Sequence, residues 1–136
     1  MIWFLRILFG LVLVSMLAVT TWASLHQALG DFARSATIRD PWVIATLFDA
    51  YWAFIAFYVW VAWKERSPAA RVLWFPGIIL LGNIAIAAYM LAELFSVSAR
   101  DPAREALEKV FTRHNYDGLV LPGILTGLAV VVYLLA

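Results

Sequence analysis

Four long apolar stretches dominate the chain, at residues 2–25, 41–63, 72–97 and 119–136, and none holds more than one charged residue. Arg6 lies in the first, Asp49 in the second and Glu93 in the third, while the fourth carries no charge. A bilayer crossing takes about 20 helical residues. Each stretch reaches that length, the last rising roughly 27 Å at about 1.5 Å per residue. The pattern predicts an all-α polytopic membrane protein, with four transmembrane helices in an up-down bundle forming a single domain over residues 1–136. The first stretch is too long for the apolar core of a cleavable signal and reads as a retained anchor.

The segment "RDPAREALEKVFTRHNYDG" has a different pattern. Asp101 suits an N-cap and Pro102 the first helical position. Ala103, Leu107, Val110 and Phe111 share one face, with Arg104/Glu108 and Glu105/Lys109 as i,i+4 pairs on the other. This predicts a short amphipathic helix over about residues 102–114, lying at the membrane interface before the last span, with Gly118 as the stop beyond it. Its plain role is a cover over the bundle mouth; its alternative is a docking surface.

Composition strengthens the membrane reading. The 136 residues are 65% hydrophobic and only 14% charged, and the mean hydropathy is +0.88. Soluble domains are about a quarter charged, so this chain cannot coat a water-facing surface. A net charge of +1 without a basic patch argues against nucleic-acid binding. The absence of cysteine excludes disulfides, thiolate metal sites and thiol redox chemistry. Lys64, Arg66 and Arg71 crowd the short second loop, and Arg6 lies near the N-terminus. Their density beside the apolar segments favours both termini and that loop in the cytoplasm of a bacterial inner membrane.

Candidate chemistry lies in the polar residues of the spans. A charge at mid-membrane costs about 3 kcal/mol on insertion scales, which makes intramembrane acids functional candidates. Asp49 is roughly 12 Å along its helix from Pro41, in the outer half of the bilayer. If spans two and three are antiparallel, Tyr89 comes level with Asp49 and Glu93 lies nearer the outer surface. Asp49, Tyr89, Glu93, Asn83 and Trp52 then form a candidate intramembrane polar site. Burial penalises an ionised carboxylate, so Asp49 reads first as a structural acid, protonated or hydrogen-bonded to Tyr89, Asn83, Thr46 or a hydroxyl of the first span. The sharper alternative is an outward-open pocket that exchanges protons or binds a polar ligand. Trp52 and Trp60 either wall that pocket or simply pack, and Trp63 anchors the inner edge beside Lys64, Glu65 and Arg66. Gly82, Gly123 and Gly127 fit close helix packing, within the bundle or across a homo-oligomer seam.

His26 and His114 are the two histidines. Both are placed at outer helix ends and read as solvated or capping residues rather than haem ligands. No metal or other cofactor is expected, and the common motifs of soluble enzymes are missing.

The landmarks Pro41-Trp42, Ala45-Thr46-Leu47, Asp49, Tyr51, Trp60, Lys64-Glu65, Trp74, Gly82-Asn83, Tyr89 and Leu94-Phe95 form a pattern over most of the chain. It resembles an uncharacterised family of small membrane proteins from bacteria and plants, known only as a domain of unknown function. The resemblance implies a multi-span helical protein and brings no activity. The expected function is therefore a small non-enzymatic accessory or stabilising subunit of a larger membrane complex. The alternative is a ligand-binding protein or proton-coupled transporter built around Asp49 and Glu93. Expected partners are the lipid bilayer and other membrane subunits or further copies of the chain, with lipid, pigment or quinone as possible bound molecules.

Overall fold

The computed structural model describes residues 1–116 and 118–136, and its regular elements are helices: α1 (Ile2–His26), α2 (Leu29–Arg34), a 3₁₀ turn (Ala36–Arg39), α3 (Pro41–Lys64), α4 (Pro68–Leu81), α5 (Asn83–Phe95), α6 (Ala103–Thr112) and α7 (Val120–Leu135). Local sequence explains the starts of the two central helices. The Asp40 carboxylate accepts from the Trp42 backbone N–H at 2.9 Å, with Pro41 at the first position of α3. Ser67 and Pro68 repeat the device at α4, where the hydroxyl accepts from Ala70 N at 3.4 Å. In each, the side chain satisfies a donor that the first turn leaves free, and proline supplies the helical φ.

The predicted third span is not one helix. It breaks at Gly82, whose φ of +54° and ψ of −124° form a backbone conformation closed to other residues without strain. A Cβ there would also lie 2.6 Å from Cζ of Phe54. α4 leads away from the Lys64 end and α5 returns to it, so that Trp74 and Tyr89 pack edge to face with centroids 4.9 Å apart. The pair is a helical hairpin with Gly82 at its tip, each arm only about 20 Å long. An uninterrupted apolar run satisfies this hairpin as well as it would a single crossing.

Four crossings are therefore not supported. Two helices, α1 with 25 residues and α3 with 24, are long and apolar enough to cross a membrane. α7 has 16 residues, rising roughly 24 Å against a hydrocarbon core of about 30 Å. The alternation of direction persists, but with the hairpin split it runs through five helices, α1, α3, α4, α5 and α7. Thr126 Oγ1 donates to Leu73 O at 2.7 Å and Tyr133 OH to Leu80 O at 2.8 Å, so α7 runs parallel to α4. Their close approach is at Gly77, where an added Cβ would stand 3.1 Å from Thr126 Oγ1. Residues 1 and 136 consequently lie at opposite ends of the molecule, unlike the expected shared side.

Arg6 joins α1 to the returning arm of the hairpin. Its guanidinium donates to Leu94 O at 3.0 Å and to Val97 O at 2.8 Å, and lies 4.6 Å from the Phe95 ring centroid. A cation is well placed there, because the last carbonyls of α5 carry the negative end of the helix dipole. Burial concentrates at this same end. Ile2, Met90, Leu94, Val97, Ala106 and Val110 form one core cluster, and Val61, Ala70, Trp74, Ile78, Ala85 and Tyr89 form the other. α6 covers the first cluster with Ala106 and Val110 and holds the expected Arg104–Glu108 pair at 3.6 Å. Of the predicted apolar face, Ala103 and Phe111 are exposed, and Lys109 turns to Asp101 rather than Glu105.

Candidate functional site

The meeting point of α3, α5 and the α6–α7 connection buries three charged side chains: Lys64, Glu65 and Glu93. Lys64 ends α3 and has no exposed surface. Its ammonium forms an ion pair with Glu93, two residues before the end of α5. Glu65 caps α3 in extended conformation, which turns its carboxylate inward to accept from Tyr89 OH at 2.8 Å. Asn115 closes the group. Its Nδ2 donates to Glu65 Oε1 at 2.8 Å and to Glu93 Oε1 at 2.6 Å, so one amide bridges two acids.

The backbone holds Asn115 to this task. Asn115 N donates to Lys64 O at 2.9 Å, and Arg66 N donates to Asn115 O at 2.6 Å, forming a single parallel bridge between residues 65 and 115. Arg71 Nε adds a bond to Glu65 O at 2.7 Å. His114 seals the outer side, with Nδ1 3.1 Å from Trp63 O and Nε2 3.0 Å from Arg66 Nη2. Aromatic rings surround Tyr89: Trp74, Trp60 and Phe57 all pack edge-on, at centroid distances of 4.9, 5.6 and 6.0 Å. Each such pair adds about 0.5–1.5 kcal/mol beyond area burial.

Two acids and one lysine leave the group with a formal charge of −1, and the surroundings share it out. No buried side-chain nitrogen or oxygen among the described residues lacks a hydrogen-bond partner. Buried charge is tolerable only under this condition, since an unpaired ion in a dry interior costs several kcal/mol. A cavity of about 210 Å³ adjoins the cluster, lined by Glu65, Tyr89, Glu93, Ser96, Arg113 and Asn115 among others. Arg113 reaches across its rim to Ser96 Oγ at 2.6 Å.

The expected polar site is thus rebuilt. Tyr89 and Glu93 do come together, but their partners are Glu65, Lys64 and Asn115 at the opposite end from Asp49. Asp49 does not meet Tyr89; it is exposed on α3, and the ion pairs among the described residues do not include it. Trp52 is 65% exposed on the same helix, and Asn83 is exposed at the hairpin tip. The error follows from the unbroken third span, which carried Glu93 to the wrong end. Arg66 is exposed, whereas Lys64 and Glu65, expected beside it at the edge, are interior. Gly82 acts as a turn rather than a packing surface, and an added Cβ at Gly123 or Gly127 would meet nothing within 4 Å. His26 bonds Trp22 O at 2.8 Å at the far end of α1, so the two histidines lie at opposite ends and not on one side. Asn115 was missed. A polar residue in a connecting segment gives no local signal that it will be drawn inward.

The chain belongs to a family of proteins of unknown function. A family model described as "Protein of unknown function (DUF1475)" matches residues 1–115, which include every member of the buried cluster and end at Asn115. Neither the curated proteins nor the solved structures contain a match.

Proposed function

We propose that this is a non-enzymatic integral membrane protein that serves as an accessory, stabilising subunit of a larger membrane complex. The observation carrying this reading is the uncovered half of α3. Beyond the hairpin tip, Trp42, Phe48 and Trp52 are 82%, 64% and 65% exposed, and Asp49 stands exposed among them. A carboxylate facing lipid is unfavourable, and such groups in membranes normally face protein or water. A neighbouring subunit that donates to Asp49 and covers these rings relieves both costs. The buried cluster then acts as a fastener, setting the hairpin and α6 against α3, in a membrane whose cytoplasmic side faces the basic 64–71 loop.

Purification in mild detergent tests this. The protein is expected to co-purify with stoichiometric subunits, and Asp49→Leu to reduce that recovery at least tenfold. Isolation of the wild type alone, or equal recovery with Asp49→Leu, would overturn it. One observation favours a second reading: the 210 Å³ polar cavity beside Glu93 and Tyr89 suits a small polar ligand or a transported proton. Under that reading Glu93→Gln abolishes pH-dependent binding or flux, and unchanged flux eliminates it.

A further inference from the structure

The hairpin is shorter than the two long helices beside it, and this leaves space above its tip. A cavity of about 430 Å³ fills that space, walled by the last turns of α1, by α2, by the tip of the hairpin and by the end of α7. Its volume lies in the range of about 300–1,000 Å³ typical of small-molecule sites. α2 roofs it: a Cβ at Gly30 would stand 3.3 Å from Ala136 O, so this short helix packs over the end of α7.

The lining is mainly apolar, and its polar side chains, Thr20, Ser24, Gln27 and Tyr133, are all uncharged. Apolar walls with a few uncharged hydrogen-bonding groups match one chemical class, a single hydrocarbon chain with an uncharged, hydroxyl-bearing head. We infer that this cavity is a binding site for one chain of a neutral, single-chain membrane amphiphile. The site is separate from the buried cluster, and it rests on the membrane reading above.

The probe is 1-monooleoylglycerol, titrated against the detergent-solubilised full chain and followed by native mass spectrometry. A saturable adduct of one molecule per chain is expected. Ala23→Trp and Ile84→Trp each place an indole in the cavity and are expected to weaken binding at least tenfold. Leu11→Trp, on an exposed flank of α1 outside the lining, is expected to leave binding unchanged. Ala23 is itself exposed, so its variant should fold even if Ile84→Trp does not, and circular dichroism checks both. Absence of an adduct, multiple unsaturated adducts, equal loss in Leu11→Trp, or wild-type binding by a folded Ala23→Trp would each overturn the inference. Carbonate-resistant sedimentation of the protein with membranes tests the membrane reading separately.

Discussion

Replacing Lys64 by methionine removes the only ammonium in the buried cluster while keeping most of the side-chain volume. Glu93 would then keep one hydrogen bond, from Asn115 Nδ2 at 2.6 Å, and lose its ion pair. Both partners are almost fully buried, with side-chain exposures of 0% and 8%, so water cannot compensate. Removing one member of such a pair costs about 3–5 kcal/mol. Removing both is different. In Lys64→Met/Glu93→Leu the ion pair leaves as a unit, Glu65 keeps its bonds from Tyr89 and Asn115, and a well-packed apolar replacement is often neutral or better. Asn115 would lose one acceptor, at a cost of about 1–3 kcal/mol. The double variant is therefore predicted to be more stable than Lys64→Met by roughly 2 kcal/mol, a positive coupling in the double-mutant cycle. Unfolding in mixed micelles, followed by circular dichroism over a titration with denaturing detergent, measures all four corners. A loss below about 1 kcal/mol for Lys64→Met, the level of an exposed pair, would refute the burial argument. So would a double variant less stable than the single one.

Two further predictions address the turn and the bridge. Gly82→Ala is expected to cost about 1–3 kcal/mol in the same assay from its backbone conformation alone. Phe54→Ala in that background should relieve the clash but not the strain, and full recovery would show that the positive φ is unimportant. Asn115→Ala strips an amide from two buried acids and is predicted to cost about 2–6 kcal/mol, on the basis of about 1–3 kcal/mol per unsatisfied group. It should also speed tryptic cleavage after Arg113, which wild-type cleavage rates would contradict.

Some of this architecture was legible in the sequence. Asp40-Pro41 announces the start of α3, and the 3.6-residue spacing of "AREALEKV" marks α6 to within two residues. Arg104–Glu108 forms as its spacing requires. What was not legible depends on partners distant in the chain. A 26-residue apolar run containing two glycines reads as a span because glycine is common in membrane helices, and only the contact with Phe54 and the conformation of Gly82 reveal the turn. That single misreading moved Glu93, and with it the expected partner of Tyr89, by the length of a hairpin arm. Lys64 and Glu65 looked like an interfacial edge because charged residues beside an apolar helix usually are. Burial came from the α6–α7 connection folding over them, which no local pattern encodes.

The account turns most directly on whether residues 68–95 form a hairpin that returns to its starting side. The chain contains no cysteine, so single-cysteine variants at the exposed positions Ala33, Ala69 and Ala103 can be labelled with a membrane-impermeant maleimide in oriented membrane vesicles. The hairpin predicts that Ala69→Cys and Ala103→Cys label from the same side and Ala33→Cys from the other. Labelling of Ala103→Cys from the side of Ala33→Cys would make residues 72–97 a single crossing and contradict the account.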